Sequence, residues 1–291
     1  MQKSNHLINS FLVPQLQFSL TSSLYAEYAQ EIIALLRRLF LQVQRRPSTI
    51  IAGLIQPLLW LVLFGALFQN APIGLFSMSN SYRHFLTPGI IVFTAFTGAL
   101  NAGLPLMFDK EFGFLNRLMV APLVSQLSIV ISSAFFITVI TLIQAFLIIG
   151  VMSLFEQTIS LPSLFVIAAV LFLLTSGLTM FSISLTFILP GHIELLAVIF
   201  VVNLPLLFAS TALVPFSFMP MWLQIMASLN PLSYAIETIR YLYFAKQWTL
   251  SSPAVNTIWG TCCLLEVIFL LLGFNLMMGS ITRYCIQLKI K

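Results

Sequence analysis

Charge is what this sequence has least of. Its 291 residues include 13 lysines and arginines, 8 aspartates and glutamates and 3 histidines, so charged side chains make up 7%. A soluble domain carries about 25%. So few charges cannot cover a globular surface, which excludes soluble enzymes and soluble binding modules. Aspartate occurs once, at Asp109, and the cysteines are Cys262, Cys263 and Cys285. They form no CxxC pair and no disulfide framework, so they read as packing residues. HExxH, GxSxG and the phosphate-binding GxxxxGK[ST] loop are all missing. With neither a nucleophile constellation nor a phosphate loop, the chain is not expected to be an enzyme. It is expected to bind no metal or cofactor of its own and to hydrolyse no ATP alone. No polar linker divides it, so it reads as one bundle.

What it has instead is hydrocarbon: 59% hydrophobic residues and a mean hydropathy of +1.03. Crossing a bilayer takes roughly 20 apolar residues. Uncharged runs of that kind predict six transmembrane helices, near 48–68, 85–108, 125–153, 163–189, 193–214 and 256–280. The runs are continuous rather than alternating, so strands are not expected. The predicted fold is an all-α membrane protein with its transmembrane domain over 47–291.

Six spans place both termini on one side. Lys3, Arg37, Arg38, Arg45, Arg46, Lys110, Arg117, Arg283, Lys289 and Lys291 fall there; Arg83, Arg240 and Lys246 fall opposite. Ten against three makes the terminal side cytoplasmic, or the compartment equivalent to it. The same scatter along membrane borders explains the net charge of +5 without nucleic-acid binding. His84 and His192 fall at opposite borders, too far apart to share a metal.

Residues 1–24 read as a flexible tail without a cleavable signal. Residues 25–46 carry Ile32, Leu35, Leu36, Leu39, Phe40 and Val43 at helical spacing among charges. An amphipathic interface helix fits, as does a cytoplasmic extension of the first span. Pro215 to Pro253 is apolar yet broken by Pro215, Pro220 and Pro231, and studded with Trp222, Tyr234, Tyr241, Tyr243 and Trp248. Short re-entrant helices in the outer leaflet would satisfy its backbone. Asn230 and Pro231 suit a helix start, and Glu237 and Arg240 can pair on one face. Either a shielding cap or a direct substrate role fits this segment. Glu266 is expected about ten residues into the last span, either in a structural polar contact or in a substrate or proton role.

The densest charge cluster lies in FDKEFGFLNRLMVAPL, residues 108–123. With its inner-side location, this segment resembles the corresponding segment of the ABC-2 permease family, at Asp109, Lys110, Glu111, Gly113, Leu115, Arg117, Ala121 and Pro122. LTPGIIVF at 86–93 is similar to the family's proline-glycine at the start of span two. PLLFASTALVPFSFMPMWLQIMASLNPLSYAIETIR, from Pro205 to Arg240, looks like the stretch before its last span. The likeness is to the drug and nodulation-factor export branch, including a permease of red-algal plastid genomes and cyanobacteria. One departure is Gly113-Phe114, where the family often has Gly-Thr.

The resemblance implies the permease subunit of an ATP-binding-cassette exporter for a hydrophobic or amphiphilic cargo. It implies a homodimer in the lipid bilayer with separate ATPase subunits that hold ATP-Mg. It also implies that a short helix at 109–117 couples to that ATPase, although a solvated loop remains an alternative for the stretch. Residence would be a plastid membrane or a bacterial inner membrane. A secondary transporter and a non-transporting assembly or anchor subunit remain open alternatives.

Overall fold

A computed structural model describes residues 24–45, 48–68, 82–114, 127–153, 159–245 and 247–290. Residues 1–23 of the tail expected at 1–24 lie outside the described residues, as do Leu115 and Arg117, whereas Leu24 is already helical. The described residues are mostly helical. α1 (Leu24–Gln44) precedes the apolar helices α2 (Ser48–Leu67) and α3 (Tyr82–Leu100). A short α4 (Gly103–Glu111) continues from α3 after a break at Asn101 and Ala102. Then come α5 (Leu127–Ser153), α6 (Leu161–Ile188) and α7 (His192–Phe208). A single turn at Phe216–Phe218 leads into α8 (Met221–Leu229) and α9 (Pro231–Phe244), and α10 (Leu264–Ile290) closes the chain.

Among the described residues, four stretches are long and apolar enough to cross a membrane: His84–Glu111, Ser128–Ser153, Leu161–Ile188 and Leu264–Leu288. Gly53–Leu67 and His192–Phe208 are shorter apolar helices. The chain is therefore an integral membrane protein. Most of the apolar part of His84–Glu111 is buried against other helices, and little of that of Leu264–Leu288 is. That difference makes α3 the axis of the bundle and α10 its flank. The core forms where α3 meets α5 and α6, around Leu86, Ile91, Phe96, Ile148, Ile167 and Leu171. α10 lies along α6.

Two expectations need correction. Residues 253–263 do not enter the last helix. Pro253–Thr257 (β1) and Gly260–Cys263 (β2) form an antiparallel hairpin, and the helix starts at Leu264 rather than near 256. Ile258 and Trp259 fill a two-residue turn, Gly260 takes φ +134°, and the Thr257 hydroxyl donates to the Gly260 carbonyl. Hydropathy missed this because the segment is apolar but β-prone, with a glycine at the turn. Likewise α7 stops at Phe208 instead of running to 214. Pro205 removes one backbone donor near that end.

α4 is seated against α6 through small residues. The Gly103 N–H donates to Ser182 Oγ at 2.9 Å, Ser182 Oγ donates to the Leu100 carbonyl at 2.5 Å, and Thr186 Oγ1 donates to the Gly103 carbonyl at 3.1 Å. Two hydroxyls of α6 thus close the backbone broken between α3 and α4. The approach is close enough that a Cβ on Gly103 would sit 2.5 Å from Thr186 Oγ1 and 2.6 Å from the Ser182 carbonyl oxygen. Small residues permit such contacts between membrane helices. Gly103→Ala is expected to cost about 1–3 kcal/mol through overpacking. Gly150→Ala is the control, since a Cβ there meets nothing within 4 Å. Thermal unfolding in detergent checks both; equal midpoints would contradict the packing.

Candidate functional site

Three consecutive charges end α4, and each has an internal partner. Asp109 Oδ2 accepts from Arg38 of α1 at 3.0 Å. Arg38 also stacks over the Phe114 ring, 4.0 Å from its centroid. Lys110 Nζ donates to the carbonyls of Thr186 at 2.9 Å and Leu189 at 2.6 Å. Glu111 Oε1 accepts the backbone N–H of His192 at 2.6 Å, and its Oε2 lies 2.7 Å from His192 Nδ1.

The signs of these charges follow helix physics. α6 ends at Ile188, where unpaired carbonyls and the negative dipole end favour a cation. α7 begins at His192, where unpaired N–H groups favour an anion. Its N-cap, Gly191, offers no side chain, so Glu111 supplies the acceptor from another helix. A Cβ on Gly191 would lie 2.8 Å from Glu194 Oε2 and 2.9 Å from Glu111 Oε1, so a side chain there would displace both carboxylates. Lys110 and Glu111 together clasp the α6–α7 corner.

This tip also exposes aromatic side chains. Phe112 is 79% exposed and stacks on Phe108, with centroids 6.2 Å apart. Phe108 in turn lies against the His192 ring at 5.2 Å. Gly113 leaves the helix with φ +73°, a conformation that suits glycine. The sequence picked out Asp109, Lys110, Glu111 and Gly113. It did not reveal Arg38, His192 or Phe112 as members of the same corner. The available signal was Pro190-Gly191-His192, a helix break on the same side as Lys110.

A second polar cluster surrounds the end of α7. Asn230 caps α9, with Oδ1 accepting from Leu232 N at 3.0 Å. Its Nδ2 donates to the carbonyls of Leu206 at 2.8 Å and Ala209 at 2.7 Å. Pro231 takes the first helical position. Arg240 is buried, bonds Glu237, and donates to the Thr211 carbonyl at 2.8 Å. Its guanidinium also lies 3.8 Å from the Phe85 ring centroid. The Tyr234 hydroxyl donates to the Ser228 carbonyl at 2.8 Å, and the Tyr82 hydroxyl to that of Leu213 at 3.3 Å. Side chains thus serve the carbonyls freed where α7 unwinds.

Glu266 belongs to neither cluster. It stands in the first turn of α10, exposed, and its Oε2 accepts from Cys263 N at 2.8 Å. The expected mid-span position is corrected: starting the helix at Leu264 moves this carboxylate to a helix N-terminus, where it caps. Farther along α10, Asn275 bonds Ser176 and the Leu173 carbonyl of α6.

These features define a helical membrane bundle whose broken helices are closed by charged and amide side chains. Residues 30–244 match the ABC-2 type transporter family, and the chain belongs to it. It is 53% identical over 280 residues to a protein of Pyropia yezoensis named transport permease ycf38, covering 96% of both chains. A protein of the same name in Cyanophora paradoxa is 55% identical over 258 residues, covering 86% of this chain and 88% of that one. DrrC of Mycobacterium tuberculosis, named as a doxorubicin resistance ABC transporter permease protein, is 27% identical over 245 residues, covering 82% and 86%.

Removing one partner of a buried ion pair strands the other charge, which costs about 3–5 kcal/mol. Glu237→Gln is therefore expected to lower thermal stability in detergent far more than Asp109→Asn, whose pair with Arg38 is partly exposed. Equal losses in thermal unfolding would contradict the ranking.

Proposed function

We propose that this chain is the membrane-spanning permease subunit of an ATP-binding-cassette exporter, and that the tip of α4 is where a separate ATPase subunit acts. The single observation that carries this is the wiring of α4. Its last turn is tied to α1, to the end of α6 and to the start of α7, while Phe112 projects freely. A push on Phe112 would reach two apolar helices as a rigid-body displacement rather than be absorbed in a loop. Leu115 and Arg117 follow this tip in the sequence and extend the docking element, in keeping with the family resemblance. ATP-Mg is held by the partner ATPase, not by this chain.

Six crossings result when α2 and α7 are counted with the four long stretches, with both termini on the cytoplasmic or stromal side. α8 and α9 are re-entrant, lying in the outer leaflet. Two copies assemble, and the cargo is hydrophobic or amphiphilic. A cavity of about 560 Å³ supports this reading. It is bounded by Phe64 of α2, Phe68 just after it, Tyr82 of α3, and Phe208, Leu213 and Met219 around the end of α7. Export is the direction, and the similarity to the algal permeases favours a plastid membrane.

Two variants separate docking from transmission. Phe112→Ser is expected to abolish co-purification of the ATPase subunit while the chain still inserts, and Arg117→Glu to weaken it. Exchanging Lys110 and Glu111 for one another puts an anion on the α6 carbonyls and a cation on the α7 N-terminus. That variant is expected to retain the ATPase but lose cargo-stimulated ATP hydrolysis. Wild-type stimulation in the exchanged variant, or normal co-purification of Phe112→Ser, would sink the coupling role.

A further inference from the structure

We propose that the outward face of α1 binds the anionic headgroups of the membrane leaflet it lies on. α1 is apolar on two sides. Leu35 packs against the cluster of Leu106, Ile129 and Phe187, and Phe40 meets Phe136 of α5 edge-on at 5.0 Å. Away from the bundle, Ile33 is 62% exposed, and Leu41 is exposed too. Ile33, Arg37, Leu41 and Arg45 follow one another at four-residue spacing, so they share a line along the helix. Arg37 and Arg45 are exposed, and the ion pairs among the described residues engage neither.

A face that alternates apolar side chains with arginines matches the headgroup boundary. The aliphatic groups enter the acyl edge, and the arginine stems lie along them with their heads at phosphate depth. At about 1.5 Å of rise per residue the two guanidinium groups stand roughly 12 Å apart along the axis, enough to reach separate lipids. A guanidinium forms paired hydrogen bonds to phosphate, and a net negative headgroup adds charge attraction that a zwitterionic one lacks. The depth is fixed from inside, because Arg38, the neighbour of Arg37, is tied to Asp109 at 3.0 Å. α1 is thus fastened to α4 by one arginine and presented to the leaflet by two others.

The test uses the purified full chain alone, without any ATPase, in phosphatidylcholine bilayers doped with spin-labelled phosphatidylglycerol or spin-labelled phosphatidylcholine. The motionally restricted fraction gives the relative association of each lipid. Wild type is expected to prefer phosphatidylglycerol. Arg37→Gln with Arg45→Gln is expected to lower that preference by about fivefold for each arginine removed. Arg37→Lys with Arg45→Lys is expected to keep most of it, which separates loss of charge from loss of fold. Equal association of the two lipids with wild type would overturn the proposal. So would an undiminished preference in the glutamine variant, the outcome expected if this face docks a protein instead. Because no ATPase is present, failure here leaves the exporter reading intact, and failure of that reading leaves this one intact.

Discussion

A backbone that stops being helical inside a membrane must still satisfy its N–H and C=O groups. Among the described residues, three interruptions between helices draw polar partners from other elements. At Asn101 and Ala102, Ser182 and Thr186 of α6 bridge the interruption. At 189–191, Lys110 and Glu111 serve the two helix ends on either side. At 208–214, Asn230, Arg240 and Tyr82 serve the freed carbonyls. A sequence with 7% charged residues thus spends several of them as helix caps donated from a distance.

This changes the meaning of the charge cluster at 109–111. Its density in the sequence suggests a surface made for a charged partner. The structure gives each of those charges an intramolecular partner and leaves the aromatic side chains of Phe108 and Phe112 exposed. The cluster is a set of ties, and what it offers a partner is apolar. Rigid ties and an exposed apolar tip are complementary properties for an element that receives a force and passes it on.

The class and the helices were legible because hydrocarbon runs of membrane length have one ordinary explanation. The short helices before the last span were legible from their prolines, and Asn230-Pro231 from its capping chemistry. The hairpin at 253–263 was hidden because hydropathy does not distinguish a greasy turn from the start of a helix. That error also displaced Glu266, whose cost depends wholly on its depth. The clasp was hidden for another reason. Lys110 and the Leu189 carbonyl are 79 positions apart. Periodicity reports on one helix at a time and carries no information about which helix end a distant lysine will reach. Arg240 was readable as the partner of Glu237, but its service to Thr211 required the fold.

The central claim is that the tip of α4, through Phe112, is what the ATPase subunit touches. Replacing Phe112 with benzoylphenylalanine keeps an aromatic ring there and permits cross-linking by light in the native membrane. The account predicts an adduct with an ATP-binding-cassette ATPase subunit, and none when the same group replaces Phe165, an exposed residue near the start of α6. Adducts from position 112 confined to lipid or to this chain would contradict it.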